Sequence, residues 1–264
     1  MWVRRLSASS DLYDCIYAIS LFRVGRFAMG ADSVLVIGAN SGIGRALTEQ
    51  LNLLGKRVFC ISRSHCGSSN QTMLLPDQDD TSIAQCCQTL FSQGWRFRWV
   101  VCLVGVLHES SMMPEKRLED LHTRQLQRYF AVNSIIPALW LKHLVSLFEP
   151  GQDARLMFLS ARVGSIEDNR LGGWYGYRAS KAALNMLVKT AQVEYARRVP
   201  GVKLMCYHPG TVDTELSRPF SGGMPRNRRF STEQAAQYLL SELQKPRAEN
   251  QAVFVDWRGD KVCW

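Results

Sequence analysis

The stretch Val34-Leu-Val-Ile-Gly-Ala-Asn-Ser-Gly-Ile-Gly-Arg-Ala-Leu47 decides the fold. Four apolar residues, three of them β-branched, read as a buried strand, and the run Gly42 to Leu47 opens an amphipathic helix directly after it. Between them Gly38, Gly42 and Gly44 stand in the spacing GxxxGxG. Glycine is required where a chain turns sharply and where backbone must approach a ligand with no Cβ in the way. A strand, a glycine turn and a helix N-terminus together present unpaired N–H groups and a positive dipole end, which suits a pyrophosphate. The turn residues Gly38, Asn40, Ser41, Gly42, Ile43 and Gly44 are therefore candidate dinucleotide contacts.

Working outward, short β-branched runs alternate with longer amphipathic stretches, the pattern of βαβ units and a parallel sheet. Strands are predicted at 33–37, 57–62, 72–75, 98–104, 154–160, 202–207 and 252–256. Helices are predicted near 43–55, 80–93, 117–148, 174–199 and 231–244. The 117–148 segment carries Pro137 and is expected to kink or split there. The fold class is α/β: a single doubly wound Rossmann-type domain over 32–264, with seven parallel strands and helices on both faces. Residues 217–230, SRPFSGGMPRNRRF, are rich in Gly, Pro and Arg and form a candidate lid.

Composition narrows the function. The chain has 264 residues, 46% hydrophobic and 21% charged, which suits a globular domain and excludes a mainly disordered chain. No run approaches 18 apolar residues without a charge, so no membrane span is expected. The formal charge of +9 fits an anionic cofactor. Basic residues form no stripe interleaved with aromatics, so nucleic-acid binding is not expected. Eight cysteines without a CxxC pair read as reduced thiols of a cytoplasmic protein, and no spacing suggests a metal site. Residues 1–31 read as a poorly ordered N-terminal extension.

The end of the second strand selects the dinucleotide. An acidic residue there binds the ribose 2′-hydroxyl of NAD, whereas this chain has Ser62-Arg63-Ser64. A hydroxyl and a guanidinium suit a 2′-phosphate, so NADP(H) is favoured over NAD(H). Asp77, after the third strand, is a candidate adenine contact.

The chemistry lies in GGWYGYRASKAALN, Gly172 to Asn185. Tyr177 and Lys181 are four apart and share a helix face. A neighbouring ammonium is expected to lower the phenol pKa toward working pH, letting Tyr177 donate a proton to a carbonyl oxygen.

With GANSGIG, YRASKAALN and HPGTVDT in one chain, the sequence from about 32 to 264 resembles the short-chain dehydrogenase/reductases. The context SARVGSI…DNRLGGWYGYRASK resembles their C-factor-like carbonyl reductase branch. The resemblance implies that Tyr177 is the general acid/base and that Lys181 binds the nicotinamide ribose and tunes Tyr177. It implies that Asn133 supports a proton-relay water, and that Pro209, Gly210, Val212 and Thr214 line the nicotinamide. Family members usually assemble through their long helices, so a homo-oligomer is expected.

Two departures stand out. Where the family commonly has NNAG, this chain reads Cys102-Leu103-Val104-Gly105, and only Gly105 survives as a cofactor contact. The substrate-polarising serine usually stands three residues before a glycine. Counting back from Gly164 gives Ala161, with Ser160 one position earlier, so Ser160 fills the role only if the strand end bulges or turns. The expected function is an NADP(H)-dependent oxidoreductase interconverting a small-molecule carbonyl and an alcohol. The alternative is a dinucleotide-binding signalling or regulatory protein with little catalysis.

Overall fold

The computed structural model describes residues 32–65, 70–220, 229–246 and 251–264. The expected N-terminal extension, and residues 221–228 of the expected lid, lie outside the described residues. Seven strands form one sheet: β1 Ser33–Ile37, β2 Arg57–Ser62, β3 Gln71–Leu74, β4 Trp99–Cys102, β5 Ala154–Leu159, β6 Val202–His208 and β7 Val253–Asp256. Their order is β3-β2-β1-β4-β5-β6-β7, and every pairing is parallel. The order reverses between β1 and β4, which places a crevice outside the C-terminal ends of these strands.

Among the described residues, six α-helices cover the sheet: α1 Gly42–Leu53, α2 Asp80–Ser92, α3 Thr123–Phe130, α4 Ile136–His143, α5 Tyr175–Arg198 and α6 Thr232–Gln244. Alternate strand residues feed two cores, as the period of two requires. One core joins Leu35, Ile61, Val100, Phe158 and Leu204 to the helices α2, α4 and α5. The other joins Val36, Cys60, Val101, Met157 and Met205 to α1 and α6. The four central strands β1, β4, β5 and β6 are thus apolar on both faces, as a sheet covered on two sides demands.

The expected 117–148 helix needs correction. Residues Leu118–Asp120 form a separate 3-10 turn, and helix begins at Thr123. The break falls before Pro137, as a π-helical turn at Ala131–Ile135. Proline lacks the N–H that would bond the Asn133 carbonyl and its ring crowds that group, so the widened turn accommodates both problems. From Thr123 to Leu147 the helix is long and apolar enough to cross a membrane by length and composition alone. In this fold it buries Trp140, Leu141, Leu144 and Leu147 against the sheet. The expected strand 98–104 is also shorter, because pairing ends at Cys102 and Leu103 packs against the glycine turn.

Candidate active site

The glycine turn is built as its sequence requires. Gly38 has φ +84°, the left-handed region that favours glycine. A Cβ on Gly44 would lie 2.6 Å from the Gly38 carbonyl oxygen, so helix α1 packs this closely on the turn only without a side chain there. Ser41 is the N-cap of α1, and its hydroxyl accepts from the Gly44 N–H at 3.1 Å. A Cβ on Gly42 would lie 3.2 Å from the Thr214 methyl, so the HPGTVDT segment lies alongside the turn. In that segment Gly210 has φ +75° beside Phe230 and Trp257, Val212 is buried, and Pro209 is half-buried. A Cβ-free cradle at a helix N-terminus fits a dinucleotide pyrophosphate.

At the far end of the crevice, Asn40 links the turn to the loop after β2. Its amide nitrogen donates to Ser64 Oγ at 2.8 Å, and its oxygen accepts from two nitrogens of Arg45 at 3.0 and 2.5 Å. Ser62 is buried, and its hydroxyl donates to the Ser64 carbonyl at 2.6 Å. Arg63 is exposed at the strand end. Asp77 is exposed too, while its neighbour Gln78 reaches inward to accept from the Trp140 indole.

The structure brings Tyr177, Lys181, Asn133 and Gly105 together. Asn133 is fully buried in the π-helical turn, where its side chain accepts from the Val106 N–H at 2.8 Å and donates to the Val106 carbonyl at 3.0 Å. It also donates to Ser180 Oγ on α5 at 3.0 Å. Lys181 Nζ donates to the Leu159 carbonyl at 2.9 Å and lies 6.0 Å from the centre of the Tyr177 ring. A Cβ on Gly105 would lie 3.3 Å from Lys181 Nζ and 3.4 Å from Asn133 Oδ1, so this glycine keeps the space between them open.

Electrostatics depart from the expected tuning. Burial pulls the Lys181 ammonium down to about 8, against a smaller opposing influence of Cys102 and Cys206. Burial alone pushes the Tyr177 phenol above its ordinary value. Desolvation disfavours both charged forms and here outweighs the attraction between them. His208, before the proline-glycine turn, is pulled down to about 4 by burial.

Ser160 and Ala161 part company. Ser160 is buried and its hydroxyl donates to Asn185 Oδ1 at 2.6 Å, one helical turn beyond Lys181. Ala161 instead joins Val106, Leu107, Met112, Tyr129 and Tyr177 in an apolar cluster. The strand ends at Leu159, and the Ser160 N–H still donates to the Tyr207 carbonyl of β6 at 2.8 Å. The Ala161 methyl thus packs in the cluster that contains Tyr177, while the Ser160 hydroxyl is bonded to Asn185.

Two further side chains shape the site. Glu115 is buried, and its Oε2 accepts from the Gly176 N–H at 3.1 Å, placing a carboxylate at the positive end of α5. Arg178 donates to the carbonyls of Gly173 at 2.9 Å, Gly172 at 3.1 Å and Val163 at 3.4 Å. No local spacing announces the Glu115 contact, because its partner lies 61 residues away.

A family model described as short chain dehydrogenase matches residues 32–223. The chain belongs to that family. This short-chain dehydrogenase is 28% identical over 237 residues to the 1-hydroxy-2-glutathionyl-2-methyl-3-butene dehydrogenase of Rhodococcus sp. (strain AD45), covering 88% of this chain and 99% of the relative. It is 27% identical over 147 residues to the C-signal protein of Myxococcus xanthus, covering 56% of this chain and 83% of the relative. Among solved structures, the NADPH-bound carbonyl reductase from chicken fatty liver superposes with a TM-score of 0.75 at 22% identity, covering 89% of this chain and all of that one. That last likeness is one of fold.

Proposed function

We propose that this short-chain dehydrogenase is an NADP(H)-dependent oxidoreductase that interconverts a carbonyl and an alcohol. The observation that carries this reading is the convergence of Tyr177, Lys181, Asn133 and Gly105 at the C-terminal end of the sheet. The dinucleotide, when bound, supplies or accepts the hydride. Gly38, Asn40, Ser41, Gly42, Ile43 and Gly44 would hold its pyrophosphate, and Pro209, Gly210, Val212 and Thr214 its nicotinamide end. Ser62 and Arg63 lie at the β2 end without a carboxylate, which favours a 2′-phosphate. Asp77 is assigned to the adenine side.

In the reducing direction Tyr177 donates its phenolic proton to the carbonyl oxygen as the carbon receives hydride, giving a neutral alcohol. Lys181, as an ammonium, would stabilise the phenolate left behind and would hold the ribose hydroxyls of the bound dinucleotide. Asn133 holds the β4 loop at Val106 and so positions Gly105 beside Lys181. Ser160 acts by positioning α5 through Asn185, rather than by touching the carbonyl.

The decisive experiment replaces Tyr177 with Phe. NADPH binding, followed by nicotinamide fluorescence, should persist, while turnover on aldehydes and ketones should fall by about 10²–10⁴, the range of a lost general acid. Undiminished turnover would remove the mechanism. NADH binding as tight as NADPH binding would remove the cofactor assignment. We further propose that the protein is a homo-oligomer assembled through α5, whose outer face exposes Met186 and Val193.

A further inference from the structure

Trp174 is, among the described residues, the non-glycine with positive φ, at φ 54° and ψ 41°. Side chains of L residues rarely adopt this conformation, and it persists only where the surroundings impose it. Here they do. The Trp174 N–H donates to the Glu115 carbonyl at 2.5 Å, and Arg178 binds the carbonyls of Gly172 and Gly173 immediately before it. Both of those glycines have φ +64°, so three successive residues share the left-handed region.

The result of this constraint is the placement of one ring. The Trp174 indole lies edge-on to Tyr177, with centroids 6.1 Å apart and planes at 76°. On its other side it meets Phe220 at 5.1 Å and 64°. Phe220 comes from the β6–α6 connection and also meets His108, at 5.6 Å. His108 Nε2 in turn lies 3.0 Å from the Glu215 carbonyl, joining the β4 and β6 loops. Val106, Met112 and Ala161 form the apolar part of the surroundings of Tyr177, while the Glu115 carboxylate is held on the Gly176 N–H beside it.

If Tyr177 protonates a carbonyl oxygen, the group attached to that carbonyl must lie against these rings. We infer that the substrate is an aryl carbonyl compound, and that Trp174 is the residue that selects it. This rests on the proposed carbonyl chemistry of Tyr177. An aromatic ligand gains edge-to-face contact with Trp174 and Phe220 beyond its buried area, whereas a saturated ring of the same size gains area alone. Ala161 supports the same choice, because a methyl group offers room and apolar surface where a hydroxyl would ask for a polar partner.

The test compares benzaldehyde with cyclohexanecarbaldehyde in the wild type and in Trp174→Phe and Trp174→Leu. NADPH binding serves as the control for folding. The expected result is that the benzaldehyde-to-cyclohexanecarbaldehyde ratio of kcat/KM falls about 3- to 10-fold in Trp174→Leu, the size of one or two aromatic pairs, mainly through KM. Trp174→Phe should retain most of the ratio. A ratio that is unchanged in Trp174→Leu, or that favours the saturated ring in the wild type, overturns the inference.

A second readout separates this inference from the proposed function. Binding of benzamide and of cyclohexanecarboxamide, neither of which is reduced, is measured by calorimetry with NADP⁺ present. Tighter benzamide binding that Trp174→Leu abolishes supports the aryl site even if no aldehyde turns over, in which case only the catalytic reading fails. Turnover on carbonyls without any benzamide preference overturns the aryl site and leaves the catalytic reading standing.

Discussion

Lys181 must carry a positive charge where burial disfavours one, and that conflict makes its chemistry depend on pH. Its ammonium is pulled to about 8 from an ordinary value of 10.5. Between those values the unfolded chain holds the proton and the folded protein has released it, so this group makes the fold more stable as pH rises through the window. Cofactor binding should run the other way. If the ammonium donates to ribose hydroxyls, NADPH affinity should be constant below about pH 8 and then fall by about tenfold per pH unit. Fluorescence titrations from pH 7 to 9.5 check this, with Lys181→Met giving weaker binding and no break. A wild-type profile without a break would show that Lys181 does not bind the cofactor as an ammonium. The pairing of Tyr177 with Lys181 was legible in the sequence, because a spacing of four is a property of the helix itself. The direction of the phenol shift was not, because it depends on how much water the rest of the fold removes. Ser160 is a similar case: strand alternation warned that it and Ala161 face apart, but only the packing of Asn185 decides which way each faces.

At the scale of elements, the π-helical turn at Ala131–Ile135 does most to assemble the site. It frees the helix from a bond that Pro137 cannot make and turns the Asn133 amide onto both backbone groups of Val106. One side chain thereby ties the loop after β4 to the helix between β4 and β5, and through Ser180 to α5. Asn133→Ala leaves the Val106 N–H and carbonyl buried without these partners, at a cost of about 2–3 kcal/mol. The thermal midpoint should fall by roughly 5–10 °C in calorimetry. A midpoint within about 2 °C of the wild type would show that solvent replaces the amide without penalty. Proline announced a break in this helix, but its form and its position before Pro137 follow from sheet packing that a linear pattern does not contain.

For the whole molecule, the short β-branched runs and the glycine turn were enough to read seven parallel strands, because a sheet covered on both faces leaves a simple signature of continuous apolar runs. The substrate side was less legible. The walls proposed for it involve Glu115, Trp174 and Phe220, three positions far apart in sequence that meet only once the sheet is formed. Assembly is testable at the same scale. Met186 and Val193 expose 62% of their surfaces on the outer face of α5, a face that association would cover. Light scattering should report a mass at least twice that of the 29.9 kDa chain, and Val193→Glu should reduce it toward the monomer. A monomeric wild type would remove the proposed oligomer.

The three carbonyls held by Arg178 create a division of labour between the two sides of the proposed substrate space. The side bearing Tyr177 and Trp174 is cross-braced to the loop after β5, so a new substrate cannot be admitted by letting that side yield without also moving the proton donor. Innovation is thereby channelled to the opposite side, where Phe220 belongs to a connection that contributes no proton. On that side the Phe220 ring can be exchanged singly, whereas Pro209, Gly210, Val212 and Thr214 of the same connection are tied to the proposed cofactor site.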